Sequence, residues 1–283
     1  MNHQHTRPRR SLIFMPGNKP DMFEKALAAG ADIVCIDLED AIAPHDKEVA
    51  RTETLALFAD YDPNDRPECI VRINCLRTPD GLADLLALTN ADRCPPALML
   101  PKVKSPDEIH VHEELLSGAH EDVRLHVIIE TNEGLESCYD IARCSNRIDS
   151  LLFGGVDMAA ELRVEPTWNE LFYARSRIVH AAASAGVDMI DVPYLDLSDM
   201  NGLEQEAQAC QRLGFTGKAA IHPKQIPTLN RCFSPTEEQI AMARRVIEEF
   251  EKQGTGLVLI DNKLIEKPVL RSMYRILAIA EKL

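Results

Sequence analysis

No apolar stretch in this chain approaches the roughly 18 consecutive residues of a membrane span, so no membrane partner is expected. Basic residues are outnumbered. A formal charge of −14 leaves no face for nucleic-acid phosphates, although a site for a small anion needs only local positive charge. The obvious local exception is Arg7, Arg9, Arg10, Lys19 and Lys25, grouped around the first apolar run. The eight cysteines include no C-x2-C pair. Without a secretory leader they read as reduced thiols rather than as a zinc site or a disulfide framework. Neither a G-x-G-x-x-G fingerprint nor a P-loop is present, which argues against a Rossmann dinucleotide site and against an NTPase. Residues 1–10 are polar and basic and lack a signal-peptide core, so the expected compartment is the cytoplasm.

Short apolar runs are plentiful. Eight of them, at residues 11–15, 33–38, 70–74, 97–102, 125–130, 151–155, 189–193 and 219–223, recur about every 30 residues. Their lack of alternation marks strands buried on both faces of a parallel sheet. Helix-length stretches separate them, with start signals at Pro20-Asp21, Ser105-Pro106 and Ser234-Pro235. The first of these helices should run through Ala29, with Gly30 closing it, and the last should close the barrel. The pattern predicts an α/β fold, a (β/α)8 TIM barrel over residues 9–253, with its site at the C-terminal ends of the strands. Residues 254–283, opened by the joint Gly254-Thr255-Gly256, form a C-terminal tail. The tail reads as a strand-like pair about the turn Asp261-Asn262, then a helix from about Val269. It serves either as a lid or as a segment swapped onto a neighbouring subunit.

Most runs stop at a residue able to do chemistry. Glu130 and Asp157 end neighbouring strands, and two carboxylates with open positions beside them suit Mg2+. The alternative is a pair of solvated acids or helix caps. Glu39 and Asp40 either hydrogen-bond metal-bound water from behind or cap the next helix. Arg72, between Val71 and Ile73, must face an anion if it is buried. That anion is either Glu39 or Asp40 within the protein, or a substrate carboxylate or enolate oxygen. His222, before Pro223, reads as a base, a hydrogen-bond donor or a packed strand-end residue.

Several segments together resemble one family. They are RSLIFMPGN at 10–18, DLEDA at 37–41, VRIN at 71–74, MLPKV at 99–103, IET at 129–131, FGGVD at 153–157 and GFTGKAAIHP at 214–223. In this order they resemble the citrate lyase beta-subunit-like proteins of the HpcH/HpaI aldolase superfamily, which include malyl-CoA and citramalyl-CoA lyases. The resemblance implies a TIM barrel and Mg2+, or Mn2+ in its place. It also implies retro-Claisen cleavage of a 3-hydroxyacyl-CoA thioester to a keto acid. Citramalyl-CoA, giving acetyl-CoA and pyruvate, is the first expectation. The alternatives are malyl-CoA or beta-methylmalyl-CoA giving glyoxylate, a citryl group on a carrier protein, and a non-catalytic CoA-thioester binder. By the same analogy Glu130 and Asp157 bind the metal and Arg72 holds the substrate. Phe14, Lys25, Ile221 and His222 line the substrate or CoA path. Asp21 departs from the pattern, since relatives commonly carry lysine there. So does the tail, where Leu264-Ile265-Glu266-Lys267-Pro268 stands in place of Met-Ile-Asp-x-Pro. Glu266 would then act as acid or base in a neighbour's site, which requires a homo-oligomer, a trimer or hexamer by resemblance.

Overall fold

A computed structural model describes residues 7–64, 66–253, 257–261, 263–266 and 269–283. Each apolar run forms a strand: β1 (Ser11–Pro16), β2 (Ile33–Asp37), β3 (Glu68–Arg72), β4 (Ala97–Leu100), β5 (Arg124–Ile129), β6 (Ile148–Phe153), β7 (Asp188–Asp191) and β8 (Gly217–Ala220). They pair in parallel and in chain order, and β8 returns to β1 with Leu12 opposite Ala219. The sheet is therefore a closed barrel with no free edge. The intervening helices are α1 (Phe23–Leu27), α2 (Lys47–Ala56), α3 (Pro79–Thr89), α4 (Pro106–Leu115), α5 (Asn132–Arg143), α6 (Gly155–Leu162), α7 (Phe172–Ala185), α8 (Met200–Leu213) and α9 (Ile226–Phe233).

Strand parity organises the barrel interior. One layer of inward side chains takes Leu12, Cys35, Ile70, Met99, Ile128, Leu152, Ile190 and Ala219, one from each strand in turn, all buried. Side chains alternate faces along a strand, so a step of two residues stays inside the barrel. Stepping two residues back gives Glu68, His126, Ser150 and Asp188 at the N-terminal end. Stepping two forward gives Phe14, Asp37, Arg72, Glu130, Gly154, Val192 and Ile221 at the C-terminal end. An apolar plug thus separates two polar layers.

Helix starts follow local chemistry, in places differently from expectation. Pro20–Met22 is a 3-10 turn, because the Met22 amide bonds back to Lys19 at 2.9 Å, and only α1 continues from it. Ser105 stands at the N-cap of α4, yet its hydroxyl makes no capping bond. Capping falls instead to Thr78, Thr131 and Asp199, each accepting from a glycine amide three residues on. All eight cysteines are free thiols. Among the described residues no helix is long and apolar enough to cross a membrane.

The barrel is the compact unit Arg9–Cys232, and Phe233–Leu283 belong to a second. Within the second, α10 (Glu237–Gln253), the antiparallel hairpin β9 (Leu257–Ile260) and β10 (Lys263–Glu266), and α11 (Leu270–Ala280) share one core. Val246, Phe250, Val258 and Ile260 are buried there, with Ile265, Leu270 and Met273 packed against them. Helix α10, expected to close the barrel, groups with the tail. It starts with a capping box in which Thr236 and Gln239 exchange side-chain-to-amide bonds of 3.2 and 2.9 Å, so Thr236 rather than Ser234 is the cap. The joint Gly254-Thr255-Gly256 and Asn262 of the expected turn lie outside the described residues.

Candidate active site

The forward layer opens into a cavity of about 410 Å3. Its lining includes the charged or acidic residues Asp37, Asp40, Arg72, Glu130 and Asp157. It also includes the apolar residues Ile128, Leu152, Val156, Val192, Pro193, Leu195 and Ile221. Phe14 lines it too, and the Arg72 guanidinium sits 5.0 Å from its ring centroid, a cation–π contact. The cavity therefore offers both charge and dispersion contacts to a ligand.

Arg72 is held chiefly by a residue that sequence reasoning passed over. Asp37 accepts from its Nε at 2.7 Å and from Nη2 at 2.5 Å, a bidentate fork. Asp37 also accepts from the amides of Glu39 and Ala41, so its carboxylate is fully engaged. The third nitrogen, Nη1, faces Glu39 at 3.2 Å and Asp40 at 3.7 Å. Both acids expected beside Arg72 are there, but Asp37 orients it. Burial opposes the guanidinium charge, while Asp37 and Glu39 more than offset that, so its pKa lies above the ordinary value. The missed signal was parity: Asp37 stands two residues beyond inward Cys35 and pairs in register with Arg72.

Lys102 is the second residue missed. Its ammonium donates to Glu39 at 2.7 Å, and its amide donates to Glu130 at 2.8 Å. The amide can reach because Lys102 takes a left-handed backbone, φ 55°, uncommon for a side-chain-bearing residue. Its ammonium pKa is raised; burial lowers it, but Glu39 outweighs burial. Glu39 is buried and its pKa is raised by that burial, with Arg72 only partly compensating. Its Oε2 makes no hydrogen bond.

Glu130 follows β5 and is buried, whereas Asp157 lies in the first turn of α6, past the end of β6, and is half-buried. The expectation that Asp157 ends a strand is corrected accordingly. A helix N-terminus favours an acid there. Burial, then the neighbouring charges of Glu39 and Asp157, push the Glu130 carboxyl up to about 8. Gly154 makes the arrangement sterically feasible, since a Cβ at that position would collide with the Glu130 carboxylate and Cβ. Repelling carboxylates, a buried Glu39 oxygen that has an ion pair with Arg72 but no hydrogen bond, and a cradle opened by glycine form a hard-oxygen donor set that fits Mg2+.

The other expected residues fall elsewhere. Ile221 lines the cavity, but the neighbouring His222 is exposed and uses Nδ1 to accept the Lys224 amide at 3.1 Å, capping the turn Pro223–Gln225. Lys25 and Asp21 are exposed on the segment after β1 and line no part of the cavity. Glu266 ends β10, exposed, in the second unit. Arg9 and Arg10 do not lend the site positive charge. Arg10 pairs with Asp32 at 2.8 Å, and Arg9 binds Glu68, Asp149 and Asp188 at the opposite end of the barrel. Glu68, His126 and Asp149 there lie close enough to share a metal, but the Arg9 guanidinium already sits on both carboxylates, making this an ion-pair network.

A closed parallel barrel with an acidic, arginine-backed pocket at the C-terminal ends of its strands has the layout of a barrel enzyme. The family description HpcH/HpaI aldolase/citrate lyase matches residues 10–223, and the chain belongs to that family and is a carbon–carbon lyase. It is 32% identical to the citrate lyase subunit beta of Leuconostoc mesenteroides subsp. cremoris over 99% of this chain and 95% of the relative. It is 30% identical to the mitochondrial citramalyl-CoA lyase of Rattus norvegicus, over 99% and 88%. The crystal structure of CitE from Mycobacterium tuberculosis in complex with magnesium, acetoacetate and coenzyme A superposes with a TM-score of 0.74. That chain is 30% identical, and the match covers 94% of this chain and 96% of it.

Proposed function

We propose that the chain is a Mg2+-dependent lyase that splits a 3-hydroxyacyl-CoA thioester, with citramalyl-CoA yielding acetyl-CoA and pyruvate. One observation carries the reading. A single cavity is lined both by Arg72, Glu130 and Asp157 and by apolar Val192, Pro193, Leu195 and Ile221. The first set suits a hydroxy acid's carboxylate and hydroxyl, and the second suits a methyl on the same carbon. The relatives named above bracket this chemistry, and about 30% identity to each does not choose among their substrates.

Glu130 and Asp157 would hold the ion. When bound, Mg2+ or Mn2+ supplies a Lewis acid that lowers the hydroxyl pKa. Cleavage breaks the bond between the hydroxyl-bearing carbon and the thioester α-carbon. The electron pair passes to the thioester enolate, the hydroxyl gives up its proton to water, and the alcohol becomes the keto group. The Arg72 guanidinium, held at Nε and Nη2 by the Asp37 fork, offers a fixed cation where enolate charge develops. Phe14 backs the guanidinium and keeps water from that face. Glu39 and Asp40 orient the groups behind the site through Lys102 and Arg72. Lys25, Ile221 and His222 border the path of the CoA arm, and Glu266 from a second copy in a homo-oligomer protonates the enolate carbon.

The test is keto-acid release from citramalyl-CoA and malyl-CoA with Mg2+, with EDTA and Glu130→Ala as controls. Metal-dependent pyruvate from the first ester supports the reading. Glyoxylate from the second alone keeps the mechanism and replaces the substrate. No release from either, with turnover of a citryl carrier protein, would move the chain to the citrate lyase reaction. A monomer in solution would sink the role of Glu266.

A further inference from the structure

Two separate segments contribute apolar side chains to the cavity, the loop after β7 that carries Val192, Pro193 and Leu195, and the turn after β8 that carries Ile221. Such side chains make no directional bond to a substrate, so the separation of the two segments must be set from behind. Gln225, with none of its surface exposed, lies between the two segments. Its Oε1 accepts the Ile221 amide at 3.0 Å and its Nε2 donates to the Tyr194 carbonyl at 2.8 Å. Both partners are backbone groups of fixed polarity, so the amide has one orientation that satisfies both. The loop has its own brace as well: the Tyr194 hydroxyl donates to Asp199, which caps α8 through Gly202.

We infer that Gln225 is a positioning residue that fixes the separation of these two cavity-lining segments, and through it the size of the substituent accepted on the hydroxyl-bearing carbon. The inference rests on the lyase reading above. A buried amide bridging two loops holds their apolar side chains at one separation, and contact energy falls steeply with distance. A gap of about 0.5–1 Å forfeits about a quarter to a half of each contact. Loosening the tie therefore blunts discrimination between keto acids that differ by one methyl, while leaving the charged residues intact.

The test uses binding, so it does not depend on turnover. Glyoxylate, pyruvate and 2-oxobutyrate are titrated calorimetrically into the full chain with saturating Mg2+, for wild type, Gln225→Glu, Gln225→Met and Tyr194→Phe. Wild type should favour one acid by about tenfold over the next in the series. Gln225→Met, which removes both bonds at similar length, should flatten the series to within about twofold with Mg2+ affinity unchanged. Gln225→Glu keeps the acceptor for Ile221 and should fall between. Tyr194→Phe cuts only the loop's own brace and should shift the ratio in the same direction by less, which keeps the test alive if Gln225→Met does not fold. Affinities that all drop by one common factor, or a series unchanged in the variants, would overturn the role of Gln225. Wild-type protein that bound none of the three acids would overturn the lyase reading and this inference with it.

Discussion

The two ends of the barrel use the same residue types to opposite ends. At the N-terminal end Arg9 forks onto Glu68 at 2.6 and 2.8 Å and reaches Asp149 and Asp188, all from one buried guanidinium. The charges lie close to balance, because Arg124 also pairs with Asp149. The Glu68 carboxyl is held well below its usual range; burial opposes this, and the Arg9 bond and His126 overcome it. At the C-terminal end Asp37, Glu39, Asp40, Glu130 and Asp157 share only Arg72 and Lys102 among the described contacts, and the Glu130 carboxyl is pushed up to about 8. A satisfied network stabilises a fold, whereas a surplus of one sign is tolerated where a ligand is to supply the other.

Opposite consequences follow for mutation. Glu130→Gln should reduce metal-dependent lysis by at least about a thousandfold, a few kcal/mol of lost stabilisation, while the metal-free protein melts no lower than wild type. A large drop in melting temperature would show that Glu130 supports the fold as the lower network does. Arg9→Met should do the reverse. Taking Arg9 from buried Glu68 and Asp188, while half-buried Asp149 keeps Arg124, costs about 3–5 kcal/mol. That lowers the melting temperature by roughly 10 °C with the folded fraction still active. An Arg9 variant as stable as wild type would remove the contrast.

Acid titration separates the two ends again. Glu130 has a folded pKa above its unfolded value, so its ionisation burdens the folded state above about pH 8, and the burden lifts as the pH falls toward the usual carboxylate range. Glu68 has a depressed folded pKa, so its contribution is full above the usual carboxylate range and is lost as the pH falls below it. Metal-free protein should therefore gain up to a few kcal/mol on going from pH 8 to about 5, then lose stability below that. Denaturant melts across this range check the shape. Saturating Mg2+ or Glu130→Gln should abolish the gain above pH 5 and leave the acid loss in place. The smallest effect expected is that of Gly154→Ala, which crowds the Glu130 carboxylate without removing it. Mg2+ affinity should weaken about tenfold with the fold retained, and calorimetry would reveal an unaltered site if the cradle has no role.

Much of this was readable before any coordinates. The eight strands and the parallel closure follow from the apolar runs, and Glu130 follows its strand into the cavity, whereas Asp157 reaches the cavity from the first turn of α6. Local chemistry misled where it had competitors: Ser105 and Ser234 carry capping side chains, yet Thr236 is the cap of α10. Asp37 and Lys102 were in plain view at strand ends, and their roles depend on neighbours far away in sequence. Arg9 looked like positive charge for an anionic ligand, but it faces the other end of the barrel.

Alternation along a strand is a local property of backbone geometry, so residues two apart share a face wherever the strand goes. For that reason the chain alone dictated that Phe14 follows Leu12, Asp37 follows Cys35, Arg72 follows Ile70 and Glu130 follows Ile128 into one interior. Which of those side chains meet is a matter of register between strands and of closure, and both are settled by packing over long separations. The fork of Asp37 on Arg72, the reach of the Lys102 amide to Glu130 and the tie of Gln225 between two loops exist only once the barrel has closed.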